Sequence, residues 1–144
     1  MKEKSFVLVK PEFANYENAI EEIKNRLTSA GLEIIEESYV TYDKADAEAH
    51  YDEHKEKSFF GELVEYLTSD KSYAIIFEGE DAINTIRRLL CRDKAAGLQE
   101  GDLRFDIPKM LGWELNITKN VVHASDKPES AEREIAIYNN AKNK

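Results

Sequence analysis

The five residues 73–77, Tyr-Ala-Ile-Ile-Phe, are apolar at both phases of a strand's alternation. A strand without a polar face belongs in the middle of a sheet, so the rest of the chain must supply its neighbours and its cover. Residues 5–9 are a second compact β-branched and aromatic run, ended by Lys10-Pro11 because proline brings no amide proton to a ladder. Ile20, Ile23 and Leu27 recur at helical spacing with charges between them, and Gly31 supplies a left-handed stop. Residues 32–42 are rich in β-formers but break alternation at Glu36-Glu37, which predicts a long strand with a bulge or an exposed edge. Residues 43–57 read as a charged helical excursion. Ser58 is placed to cap the helix that follows, whose stripe is Phe59, Phe60, Leu63, Val64 and Leu67. Two adjacent phenylalanines cannot both face the core centre, so one is expected inside and one on the flank.

After the central strand, Gly79-Glu80-Asp81 leads into a helix expected to bury Ala82, Ile83, Ile86 and Leu90. An irregular connector over residues 105–119 carries Ile107, Met110, Leu111, Trp113, Leu115 and Ile117, too many apolar side chains to stay in water. Val121-Val122 then forms a short strand, and Pro128-Glu129 opens a last helix with the stripe Ala131, Ile135 and Tyr138. Without the charged insert the order is βαββαβ. It predicts an α+β, ferredoxin-like fold: a four-stranded antiparallel sheet with helices packed mainly on one face. The length of 144 residues suits one domain over residues 1–144.

Twenty Lys and Arg against 29 Asp and Glu leave a net charge of −9, which disfavours nonspecific contact with nucleic acid or an acidic membrane. An anionic substrate would need a local basic pocket. The lone Cys91 forms no internal disulfide, and the apolar run at residues 6–9 is too short for a signal peptide or a membrane span, so a cytoplasmic protein is expected. His50 and His54 stand four apart, a spacing that could put both on one helical face. Without a zinc-protease carboxylate the pair reads as surface, and no metal site is assigned. No Walker-type or dinucleotide glycine loop is present.

The chemistry centres on His123, placed where the last strand gives way to a helix N-terminus. Glu134, at the edge of that helix's apolar stripe, can reach its ring. A carboxylate accepting a proton from one ring nitrogen fixes the tautomer and leaves the other as a nucleophile. Lys10 sits at a strand end, and Arg87, Arg88 and Arg92 crowd the end of one helix, where the macrodipole alone accounts for two of the three.

The segment Asn120-Val-Val-His123-Ala-Ser-Asp, followed by Ser130-Ala-Glu-Arg-Glu134-Ile, resembles the active-site segment of the nucleoside diphosphate kinases. Most of the chain, from Phe6 to about Tyr138, can be laid on that family, with an irregular fit from Asp93 to Lys119. The resemblance implies an enzyme that moves the γ-phosphoryl of a nucleoside triphosphate to His123, then to a nucleoside diphosphate, in a ping-pong cycle. It implies that Glu134 orients the ring, with Ser125 and Tyr51 as lesser supports. Lys10, Arg87, Arg104 and Asn120 would hold phosphates and sugar, and Phe59 and Leu63 would clamp the base. Mg²⁺ would ride on the nucleotide phosphates, and the family's assemblies imply a homo-oligomer, at least a dimer. Three departures stand out: Asp93 occupies the place of a phosphate-binding threonine, glycines are missing around Phe13 and Cys91, and the loop after Arg104 is longer. Two alternatives are a weakly active or inactive nucleotide-binding relative acting as a sensor or regulatory subunit, and an RNA-binding ferredoxin-like module. The charge of −9 and the lack of an RNP-type aromatic strand disfavour the second.

Overall fold

A computed structural model describes residues 2–93, 95–112 and 122–143. Strand β1 (Lys2–Val9) runs through a short helical turn α1 (Pro11–Ala14) into α2 (Glu17–Ser29) and back along β2 (Glu33–Val40). Helices α3 (Lys44–His50) and α4 (Phe60–Thr68) precede β3 (Ser72–Glu80). Then follow α5 (Ala82–Leu90), α6 (Leu103–Met110), β4 (Val122–Ala124) and α7 (Pro128–Lys142). The sheet order is β2-β3-β1-β4 with every neighbouring pair antiparallel, the ferredoxin-like arrangement that the element order predicts.

Alternation along β1 sorts its side chains between two cores. Val7 and Val9 join Ile23 and Leu27 of α2, Ile86 and Leu90 of α5, and Leu103 and Ile107 of α6. Each such aliphatic side chain contributes about 1.5–3 kcal/mol when fully buried. Phe6 and Leu8 face the other way, against Ala47 of α3, Leu63 and Leu67 of α4, and Tyr138 of α7. The two crossover helices α2 and α5 do share one face. The insert and the last helix add cover on the second face, so Ser5–Val9 of β1 and Ala74–Phe77 of β3 are buried at both phases.

The strand β2 carries the irregularity expected near Glu36, a register shift between Ile34 and Glu36 against β3. It is an edge strand and leaves Ile35 and Tyr39 each 43% exposed. Gly31, at φ +97°, follows α2 as the left-handed stop.

Local readings fail in three places. Ser58 does not cap α4: the helix begins at Phe60, with Phe59 before it and no side-chain cap. The reciprocal cap belongs instead to α3, where Asp43 accepts from the Asp46 amide at 2.8 Å and Asp46 from the Asp43 amide at 3.2 Å. Part of the connector expected to be irregular is α6, which buries Leu103 and Ile107 despite Pro108 in its later part. Leu111 packs against the first core and Met110 is 45% exposed. Trp113, Leu115, Ile117 and Val121 lie outside the described residues. Finally, His50 ends α3 and His54 belongs to a separate 3-10 turn (Asp52–His54), so the two do not share a helical face.

Candidate active site

The backbone register places the central residue. His123 pairs with Leu8 and Val122 with Val9, so the start of β4 lies beside the end of β1, where Lys10 follows. Because Val122 and Ala124 face the first core, the alternation turns His123 toward the second face. There α7 brings Glu134, itself only 2% exposed, with Oε1 2.9 Å from Nε2 of His123. That oxygen lies off the axis of a ring N–H, so the contact is a close polar approach rather than an aligned hydrogen bond. Ser125 fixes Glu134 from behind: its Oγ donates to Oε1 at 2.7 Å, and the Phe6 amide donates to that Oγ at 3.2 Å.

Two arginines reach the carbonyls on either side of the histidine. Arg87 of α5 donates to the Ala124 carbonyl at 3.1 Å, and Arg104 of α6 donates to the Val122 carbonyl from Nε at 3.2 Å and from Nη2 at 2.9 Å. Both guanidinium groups are thereby fixed to the strand that carries His123. Arg88 lies 4.0 Å from Asp81, and Arg92 pairs with Asp102 at 3.5 Å and donates to the Glu100 carbonyl, so neither joins them.

Burial first, and charge crowding second, set the protonation states. Burial, then the neighbouring Arg104, lowers Lys10 to about 7. Burial, then Arg87, lowers Arg104 to about 10. His123 is driven well below 6.5 by burial first and then by Lys10, Arg104 and Arg87, so its imidazole is neutral near pH 7. Glu134 is raised by burial, against the opposing pull of His50, Ser125 and Arg133.

These groups open on a cleft of about 420 Å³ lined by Lys10, Tyr51, Phe59, Leu63, Arg87, Arg104, His123 and Glu134 among others. That volume suits a small organic anion. Phe59 stands 41% exposed at its rim, while Phe60 packs against the second core, the division expected for adjacent phenylalanines. Tyr51 is buried with Lys10 Nζ 5.8 Å from its ring centroid. Ser125 does not line the cleft but backs Glu134.

Asp93 does not line the cleft either: its Oδ1 accepts from the Ala95 and Ala96 amides at 3.0 and 3.3 Å, turning the carboxylate into its own loop. Asn120 lies outside the described residues. The missing glycines have local explanations, since Phe13 plugs the first core and Cys91 is extended at φ −158°, a conformation open to any residue.

Sequence reasoning missed Glu53, Ala124 and Asp126 as cleft residues, and it set His54 aside as surface. Glu53 and His54 gave no signal because their turn follows a helix end that composition alone does not locate. Asp126 was present in the quoted motif without a role.

A neutral imidazole backed by a buried carboxylate, ringed by three cations and flanked by an exposed phenyl ring, defines a phosphotransferase that handles nucleotides. Comparison with known proteins narrows the class. A sequence profile described as nucleoside diphosphate kinase matches residues 3–143. A nucleoside diphosphate kinase of Methanobrevibacter smithii is 40% identical over 140 residues, covering 97% of this chain and 89% of its own. One of Halalkalibacterium halodurans is 38% identical over 136 residues, covering 94% and 88%. Among solved structures, the halophilic nucleoside diphosphate kinase of Halobacterium salinarum in complex with CDP superposes with a TM-score of 0.82 at 32% identity, covering 96% of this chain and 88% of that one. The Aquifex aeolicus nucleoside diphosphate kinase superposes with a TM-score of 0.80 at 30% identity, covering 95% and 94%. The chain belongs to the nucleoside diphosphate kinase family, and its activity is that of a nucleoside diphosphate kinase. Among the described residues no helix is long and apolar enough to cross a membrane.

Proposed function

We propose that the phosphoryl group passes through His123 in a ping-pong cycle. With Nε2 directed at Glu134, Nδ1 carries the lone pair that attacks the γ-phosphorus of a nucleoside triphosphate. A nitrogen–phosphorus bond forms, the bond from that phosphorus to the β–γ bridging oxygen breaks, and the diphosphate leaves with the electron pair. In the second half a terminal oxygen of another nucleoside diphosphate attacks the phosphohistidine and returns Nδ1 to its starting state. The ionised Glu134 faces the ring's Nε2–H and keeps the proton there, Ser125 holds Glu134, and Tyr51 walls the histidine. Lys10, Arg87 and Arg104 balance charge on the transferring group, and Asn120 completes the phosphate and sugar contacts. The base stacks on Phe59 beside Leu63, a contact that reads no hydrogen-bonding edge.

The observation that carries this reading is the attachment of both arginines to the carbonyls flanking His123, because it aligns cations and nucleophile on one strand. The complete set of cations and the histidine–carboxylate pair weigh against an inactive relative. Mg²⁺ would come with the nucleotide, held mainly by its phosphates, and would supply charge neutralisation without a dedicated set of side chains.

Incubation with γ-labelled ATP is expected to leave acid-labile label on the protein, which an added nucleoside diphosphate then removes as triphosphate. Transfer without any labelled protein would overturn the covalent route. The same reading has residues 1–144 working as one domain in the cytoplasm and as at least a dimer. The exposed Ile35 and Tyr39 on the β2 edge offer the apolar surface an assembly needs. Light scattering that found a monodisperse monomer would refute the assembly.

A further inference from the structure

Arg133 has no part in the reaction described above, yet its guanidinium stands between two carboxylates of different elements. Nη2 lies 3.7 Å from Oε2 of Glu134 and 3.4 Å from Oε1 of Glu53. Ser130, one turn earlier on α7, donates to the same Glu53 oxygen at 3.3 Å. Glu53 sits in the 3-10 turn (Asp52–His54), and the next residue, His54, lies ring to ring against Phe59 at 5.9 Å. Contacts therefore run without a break from the aromatic rim of the cleft, through Glu53 and Arg133, to the carboxylate behind His123.

We propose that Arg133 is a positioning residue that ties the 3-10 turn and Phe59 to the catalytic helix while keeping Glu134 ionised behind His123. The inference rests on the proposed role of Glu134 as the group that orients His123.

The charge argument can be followed around Glu134. His123 faces it from β4, His50 and Tyr51 from the end of α3, and Tyr42 from the segment before α3. Ser125 and Asp126 face it from the turn before α7. Burial works to protonate the carboxyl and Asp126 adds to that effect, whereas His50, Ser125 and Arg133 oppose it. With His50 driven neutral by its own burial, the guanidinium of Arg133, 3.7 Å from Oε2, supplies positive charge beside Glu134. A protonated Glu134 loses the negative charge that faces Nε2 at 2.9 Å, so the orientation of the ring depends on that charge.

The test is the rate of labelled phosphoenzyme formation from ATP, followed against pH in the intact protein and in three Arg133 variants, with nucleotide KM and kcat measured in a fourth variant at Glu53. In Arg133→Ala the acid limb, where rate is lost as Glu134 protonates, should move up by about one pH unit. Arg133→Lys should return most of that shift, and Arg133→Gln should not. Glu53→Gln should raise KM for the nucleotide several-fold more than it lowers kcat, because it frees the turn beside Phe59 but leaves Arg133 to Glu134. An Arg133→Ala profile that is lower at every pH but superposes on the unaltered one when scaled would show a merely structural role and overturn the inference. Absence of label in the unaltered chain would overturn the inference together with the proposed function. Label with an unmoved acid limb overturns the inference alone.

Discussion

The two faces of the sheet are built from the same strands but to different standards. The first face is a core of aliphatic side chains whose fully buried rings are Phe13 and Phe77. The second mixes Tyr42, Tyr51 and Tyr138 with Phe6 and leucines, and around them lie buried His50 and Glu134. Tyr42 and Tyr51 keep hydroxyls, and His50 both ring nitrogens, without a hydrogen-bond partner among the described residues. An unpaired buried polar atom costs about 1–3 kcal/mol, so a face tuned for stability alone would not carry four of them. The difference teaches that stability and chemistry are divided by strand alternation: odd positions of β1 serve the fold, and even positions support the site.

The division can be broken most severely at His123. His123→Ala is expected to lower transfer by roughly 10⁴-fold or more and to abolish phosphoenzyme, with the thermal midpoint nearly unchanged. A variant that still accumulated acid-labile phosphate would move the nucleophile elsewhere. On the opposite face, Ile86→Ala leaves a cavity between α5 and the sheet. It should cost about 2–5 kcal/mol in denaturant unfolding while leaving KM and kcat intact well below the transition. Loss of kcat in the folded variant would show that the faces are not independent.

Lys10 sharpens the comparison by its titration. Its folded value of about 7 lies below its ordinary 10.5, so between these values the unfolded chain holds a proton that the native chain lacks. Its contribution to stability therefore rises with pH across that window, as the penalty of burying a cation is relieved. Phosphate favours the charged form, so ADP binding at pH 8 should take up about one proton, and affinity should fall up to about tenfold per pH unit above 7. Calorimetry in buffers of different ionisation heat measures the uptake. No uptake in the intact protein, or an undiminished uptake in Lys10→Met, would assign the proton elsewhere. The smallest effect is expected at Asp93, which belongs to neither face. With its carboxylate turned to the Ala95 and Ala96 amides, Asp93→Thr should change ADP affinity by no more than about twofold. A large gain would mean the carboxylate opposes phosphate in solution.

Much of this division was legible in the sequence where one residue type leaves few choices. The apolar run at β3, the helical stripe of α2 with its glycine stop, and the proline opening α7 each produced the expected element. Eight of the proposed site residues converge on one cleft because the motif around His123 and the scattered cations belong to a known pattern. What failed depended on where helices stop. The pairing of His50 with His54 assumed a helix that runs on to His54, whereas α3 stops at His50. Helix α6 was missed because residues 105–119 read as an irregular connector, although Leu103 and Ile107 stand one helical turn apart. Asp93 was misplaced because its carboxylate satisfies backbone amides two and three residues on, a local choice that an alignment with threonine does not reveal. The polar character of the second face could not be read at all, since nothing in Tyr42 or His50 alone says that each will be buried.

The cluster of Lys10, Arg87 and Arg104 lies inside a chain whose overall charge is −9. A nucleotide polyanion diffusing toward the molecule first meets repulsion, and attraction governs only within a Debye length of the cleft, about 8–10 Å at physiological ionic strength. Salt then acts oppositely on the two legs of the journey. It screens the outer repulsion and quickens arrival, which rapid mixing at increasing ionic strength would register as a rising association rate. Once a product diphosphate has slipped free of the three cations, the same outer field drives it away and hinders its recapture.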